Sequence, residues 1–376
     1  MLAGPTALET HRLVSEFDRV LTHLNESTAH RHVFLQSIDS TFVGLHGLRV
    51  AASSVTRQLL NRAIVMHLGD DLWSSSSRGK RFHPIRRERS LSNSIVLPQR
   101  SQLPPKHQAV AATSPRPLLV FGAFGMERHP GRGMLTGAML AYQQRFPGRI
   151  RVGDMRHFLK KSAVSTSLAT SMAYEHARNS TFCLCPAGDA PSFTQRFYQS
   201  IFAGCIPVFV DLYLRYPLDE RRAYPYPSQI CWPKFVVEVP RSRAAVLEAV
   251  GLDGVPAVPL NHSEQHRAGD AFRQVLLDEF ERLAPRLARL ERATAQLAAA
   301  QQYMASIANL LKFDAHSAVD GRLADPDASS AALRELAVRL HVVSEPRDPC
   351  EGQVGWGSRV RTPPTRTSVR KQLLQD

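Results

Sequence analysis

The stretch Thr181 to Val210 (TFCLCPAGDAPSFTQRFYQSIFAGCIPVFV) constrains the fold more than any other part of this chain. An apolar strand, TFCLC, runs into a loop, Pro186 to Ser192, whose Gly and Pro residues turn the chain sharply. Ser192 with Gln195 three residues later has the form of a capping box, which predicts a helix starting just after the loop. Gly204 is placed to close that helix, and IPVFV (Ile206 to Val210) then starts a buried strand. Strand, loop, helix and strand in one short span form the unit of an open α/β sheet, which binds ligands at the carboxyl ends of its strands. The first N–H groups of the helix lack internal partners and sit at its positive end, an anion site suited to a diphosphate. Arg196, in the first turn, can add a charge-assisted hydrogen bond. Gly188 serves the loop conformation and the approach of the backbone. Ser192 is a helix cap and a possible phosphate contact, and Asp189 can orient hydroxyls. Gln199 shares a helix face with Arg196.

The rest of the chain has the same rhythm. Helical spacing over 7–28 precedes a strand at His32 to Gln36, a helix over 45–60 and a strand at Ala63 to Leu68. Residues 70–108 are polar and basic, broken only by SIVLP (Ser94 to Pro98). LLVF (Leu118 to Phe121) is a strand, followed by the glycine-studded loop GAFGMERHPGRG and a helix from Met134 to Phe146. Further helices are expected over 164–178 and 271–311, the latter bent at Pro285, and further strands at Phe182 to Cys185 and Phe235 to Val239. The expected organisation is an N-terminal α/β domain (1–147) carrying a basic loop (74–108), a C-terminal domain (148–313), and a segment (314–376) with one more helix and a disordered basic tail.

The charge balance, 47 Lys and Arg against 33 Asp and Glu, gives a net charge of +14 and favours anionic partners. Arg78, Lys80, Arg81, Arg86, Arg87 and Arg89 cluster in one segment, and Arg359, Arg361, Arg366, Arg370 and Lys371 in the tail. Aromatics are 7% and do not interleave with these runs, so a single-strand nucleic-acid platform is not expected. No run approaches the roughly 20 apolar residues that span a bilayer. Five cysteines, an odd number without a CxxC pair, argue against a disulfide scaffold or a zinc site. Cys183 and Cys185 read as small buried hydrophobes on one face of a strand. Asn25, Asn179 and Asn261 head formal glycosylation sequons.

Ser180, Phe182, Cys183, Leu184, Pro186, Gly188, Arg196, Ile201, Gly204, Cys205, Ile206, Pro207 and Val208 stand in register with the hallmark of one family. On these residues the chain resembles the exostosin domain, glycosyltransferase family 47. Weaker likeness at Arg31 to Phe34, Asn93 to Pro98, Leu118 to Phe121, Tyr216-Pro217, Trp232 and Phe235 extends it over about residues 15 to 312. The resemblance implies the GT-B arrangement, two Rossmann-like α/β domains facing a cleft, here with a long C-terminal helix. It also implies inverting sugar transfer from a nucleotide sugar, a UDP-sugar, to a glycan acceptor, with no bound metal or other cofactor. A related glycosyltransferase subunit is a possible partner. A Golgi membrane location is expected, and since no signal anchor is visible the expected form is a truncated one.

Gln199 stands where the family carries Glu or Asp to hold the donor ribose, and an amide binds hydroxyls without a carboxylate's charge. His32 and Asp39, at the end of an N-domain strand, are candidates for the general base or for acceptor binding. Arg128 and Arg132, in the glycine-bearing loop, are expected to reach the diphosphate from the opposite domain. The alternative to an active enzyme is a catalytically weak paralogue that binds glycan or partners a related enzyme.

Overall fold

Short apolar segments alternating with helices pair into parallel sheets, as the period of the sequence requires. The computed structural model describes residues 25, 27–36, 64–67, 85–86, 94–98, 116–126, 129–154, 166–187, 193–212, 215–216, 224–240, 248, 262–312, 327–344 and 347–351. The helix expected over 45–60, and that over 7–28 apart from its last residues, lie outside them. The strands are β1 (Val33–Gln36), β2 (Ile64–His67), β3 (Ile85–Arg86), β4 (Ser94–Val96), β5 (Leu118–Phe124), β6 (Ile150–Asp154), β7 (Ser180–Pro186), β8 (Ile206–Val210), β9 (Arg215–Tyr216) and β10 (Val237–Val239). The helices are α1 (Pro130–Ala141), α2 (Thr166–Arg178), α3 (Gln195–Phe202), α4 (His262–Arg292), α5 (Thr294–Ile307) and α6 (Ala328–Arg339).

The larger sheet has the order β10-β8-β7-β5-β6, and its strands are all parallel. The chain runs from β5 out to the edge at β6, then crosses back to β7 and continues outward through β8 and β10. Strand order therefore reverses between β5 and β7, the place where such sheets open a crevice for a ligand. Every residue of β7 and β8 is buried. Leu184 pairs in register with Val208, and Phe182 with both Val120 and Ile206. Each such side chain contributes on the order of 2 kcal/mol of transfer free energy. α1 packs on α4, while α2 and α5 pack on α3.

The expected boundary at residue 147 is corrected by this pairing. β5 lies before it, yet β5 hydrogen-bonds β6 and β7, so the second α/β unit already includes residue 118. The earlier strands β1, β2 and β4 form a separate three-stranded parallel sheet. Part of the basic segment is also strand, because Ile85 and Arg86 pair with Arg215 and Tyr216. α4 passes through Pro285 without ending, and the chain breaks instead at Ala293 before α5.

Two disulfides overturn the counting argument against them. Cys183 bonds Cys205 and Cys231 bonds Cys350, leaving Cys185 as a buried free thiol. The odd number is one unpaired residue beside two bridges, and the partners, 22 and 119 residues apart, carry no spacing signature. Most of the expected disordered tail, 345–346 and 352–376, lies outside the described residues, while the second bridge fastens Cys350 to the segment 224–231. That segment holds α6 as well: Tyr226 Oη donates to Ala328 O at 2.8 Å and Gln229 Nε2 to Ala331 O at 2.9 Å.

At the end of α3 the chain makes a Schellman turn. Cys205 N donates to Ser200 O and Gly204 N to Ile201 O, both at 2.9 Å, with Gly204 at φ +69°. This turn presents Cys205 to Cys183. Replacing both residues (Cys183→Ser with Cys205→Ser) is expected to cost about 3 kcal/mol, the range for a loop of this length. Urea unfolding of wild type and double variant measures it, and an equal midpoint would refute the assigned pairing.

Candidate functional site

The site is assembled where β5 and β7 part. α1 begins at this place, with Pro130 at its first position and His129 as its N-cap. His129 Nδ1 accepts a hydrogen bond from Gly131 N at 3.0 Å. Gly131 is required here by contact: a Cβ on it would stand 2.8 Å from Leu212 Cδ2 and 3.0 Å from His129 Nδ1. The first turn of α1 is thereby pressed against the end of β8.

From that turn Arg132, 4% exposed, reaches across the crevice. Its Nε and Nη2 donate to Ala187 O at 3.2 and 2.7 Å, and its Nη1 to Gly125 O at 2.8 Å. The two carbonyls belong to the residues that directly follow β7 and β5. The expectation that Arg132 reaches the diphosphate from an opposite domain is thus corrected: it belongs to the same sheet unit and bridges two strand ends.

α3 starts one turn beyond this bridge. The capping box at Ser192 does not form the start: the helix begins at Gln195 and its N-cap is Thr194, with φ −76° and ψ 163°. The reason is Phe193, which is buried against Phe197 and Phe209 (both 4.6 Å between ring centroids) and Tyr224 (4.5 Å). With Phe193 held in that aromatic cluster, the helix starts two residues later than the capping box predicts. Thr194 makes no side-chain cap, and its Oγ1 is buried with no hydrogen-bond partner among the described residues.

Arg196, in the first turn, is the most informative side chain of the site. Its Nε and Nη1 are out of solvent and have no hydrogen-bond partner among the described residues. Its guanidinium carbon lies 5.7 Å from the centroid of the Phe124 ring, at the end of β5. Burial lowers its pKa to about 10, with Arg132 adding a smaller repulsion, so it stays charged at neutral pH. Cys185 lies beneath it, its Sγ 3.4 Å from Ser200 Oγ, and burial pushes its thiol up to about 11. That thiol is therefore neutral and no nucleophile at physiological pH. A half-buried cation with two donors idle among the described residues, at a helix N-terminus and at the carboxyl edge of a parallel sheet, has the chemistry to accept an anion.

Gly188, Asp189, Ser192, Arg128 and Asp39 lie outside the described residues. Gln199 is half-buried on α3, one turn after Arg196. His32 stands before β1, not at its far end, with Nδ1 2.9 Å from Thr28 O. It thus faces away from the carboxyl ends of its sheet. Thr194, Phe124 and His129 were not expected. Thr194 could have been read from SFTQ, which offers two capping residues, only one of them with a Gln at the favoured spacing. Among the described residues no group of three or more His, Cys, Asp or Glu side chains gathers to hold a metal ion.

His129 predicts a pH dependence. Burial, with Arg132 beside it, lowers its pKa from 6.5 to about 4. Below pH 6.5 the unfolded chain takes up a proton that the folded protein refuses, so stability falls as pH drops towards 4. The loss amounts to about 3 kcal/mol if the whole shift is realised. His129→Asn keeps a capping oxygen without titrating, and should flatten stability between pH 6.5 and 4.5 in urea unfolding. An unchanged slope would count against the neutral cap.

No curated protein matches the chain. The model of the Exostosin GT47 domain matches residues 17–250. That span holds the three-stranded and five-stranded parallel sheets, the bridge made by Arg132 and the start of α3. Since it covers more than half of the sequence, the chain belongs to the exostosin GT47 family of glycosyltransferases.

Proposed function

We propose that this chain transfers a sugar from a nucleoside diphosphate sugar, a UDP-sugar, to a hydroxyl of a glycan or glycoprotein. The observation that carries the reading is Arg196, a half-buried side chain at the start of α3 whose Nε and Nη1 are out of solvent and have no hydrogen-bond partner among the described residues. A desolvated cation of this kind costs stability unless an anion completes it. The diphosphate is the ligand that helix N-termini at such a switch point accept.

In the proposed reaction a base from the first α/β unit takes the proton of the acceptor hydroxyl. The acceptor oxygen then bonds to C1 of the sugar as the bond from C1 to the phosphate oxygen breaks. The nucleoside diphosphate leaves with the bonding electrons, and the configuration at C1 inverts. Arg196 and the first N–H groups of α3 would stabilise the charge that develops on the departing diphosphate, with no metal required. Of the two base candidates, the position of His32 at the amino end of β1 favours Asp39. The two units would face each other across the cleft in the GT-B manner. Two disulfides suit an oxidising compartment, in keeping with a Golgi location, where a related glycosyltransferase subunit is a possible partner. No helix among the described residues is long and apolar enough to cross a membrane.

Gln199 supports a second reading, a catalytically weak paralogue that binds glycan or a related enzyme, since family members carry an acid there. The two part on one experiment. Titration calorimetry with UDP, and release of UDP from UDP-sugars, are measured for wild type and Arg196→Ala. The enzyme reading expects UDP binding that weakens 10- to 100-fold in the variant, about 1.4 to 2.7 kcal/mol, with loss of UDP release. Absent UDP binding in the wild type refutes it and favours the paralogue.

A further inference from the structure

We propose that Arg132 is a positioning residue for the donor, setting the spacing of the two strand ends between which the diphosphate lies. The inference rests on the donor reading above. The crevice at a switch point exists because two strands diverge, and nothing in the sheet's own hydrogen bonding fixes how far apart the chains leave it. Arg132 supplies that restraint. Its planar fork holds Ala187 O through Nε and Nη2 and Gly125 O through Nη1. A guanidinium fixes the relative directions of its donors, which a lysine's single rotating ammonium does not.

The anchor of the fork is itself immobilised. The His129 cap, and the contact of Gly131 with Leu212, tie the first turn of α1 to the end of β8. Ala187 N donates to Val210 O at 3.0 Å, so the same residue is held from both sides. Ala187 is also where the chain leaves β7 for the loop leading to Thr194 and Arg196. A displacement there is passed directly to the donor groups of α3, and catalysis is sensitive to misplacements of that size.

A purely structural bolt would not be expected to place a second buried cation beside Arg196. The two guanidinium groups repel each other, and an anionic ligand between the strand ends offsets that repulsion for both. Arg132 therefore acts by geometry through the two carbonyls and by charge through the field of the crevice, without itself needing to touch the phosphate.

The test compares Arg132→Lys, which keeps the charge and loses the fork, and Arg132→Gln, which loses both. UDP affinity and the KM and kcat for UDP release are measured together with thermal stability. With wild type binding UDP, Arg132→Lys is expected to weaken UDP about 10-fold and to raise donor KM more than it lowers kcat. Arg132→Gln should be weaker again, and the gap between the two variants should narrow at high salt. UDP affinity within twofold of wild type in a folded Arg132→Lys overturns the proposal. If neither variant folds, Gly131→Ala decides: it shifts the first turn of α1 while leaving the guanidinium intact. A weakening of UDP of a few fold supports the positioning role, and unchanged affinity overturns it. A wild type that does not bind UDP removes the donor reading and this inference together. Loss confined to the variants leaves that reading intact.

Discussion

The crossing of the chain from β6 back over β5 to β7 is the constraint from which the rest follows. A parallel sheet buried on both faces leaves its loops only at the two ends, and the ends of neighbouring strands normally feed helices on the same side. Where the order reverses the loops diverge, and backbone groups at the strand ends lose their neighbours. The molecule meets that local deficit with cations. Arg132 satisfies two orphaned carbonyls, and Arg196 occupies the adjacent helix start. Fold and the proposed recognition chemistry are one problem here, because the gap that needs filling is also the gap assigned to the donor in that proposal.

The two arginines show how similar residues take different tasks from their surroundings. Both lie in the first turn of a helix and they are close enough to repel, Arg132 buried and Arg196 half-buried with Nε and Nη1 out of solvent. Arg132 has its three donor nitrogens committed to carbonyls, whereas two donors of Arg196 have no partner among the described residues and an aromatic ring lies near its carbon centre. Stability alone would favour satisfying both. An unsatisfied group of this kind inside a well-packed domain is the local inconsistency on which the proposed donor site rests.

What the sequence made legible was whatever depends on local pattern. The strands β7 and β8, the closure of α3 by Gly204 and the parallel character of the sheet all follow from apolar runs and glycine placement. The place of Arg196 in the first turn of α3 was legible as well, because it holds whether the cap is Ser192 or Thr194. What stayed hidden depends on contacts between distant residues. Phe193 shifts the start of α3 because it is drawn into a cluster with Phe209 and Tyr224, which no window around the helix contains. The role of Arg132 depends on Ala187, 55 residues away. The cysteine partners lie 22 and 119 residues apart, and the unit boundary hinged on β5 pairing with β7. In each case the sequence holds the residue, and the fold supplies the partner.

The Cys183–Cys205 bridge has a consequence for how β7 and β8 find their alignment. Both strands are apolar throughout, and a slip of two residues would leave every side chain on its original face. Hydrophobic burial therefore discriminates poorly between the native alignment and that slipped one. Such a slip would offer Cys205 to Cys185 in place of Cys183, both sulfurs facing the same way from one strand. In the native arrangement Cys185 lies against Ser200 of α3 and is withheld from pairing. The choice between two adjacent thiols thus records, in covalent form, whether the strands have aligned correctly.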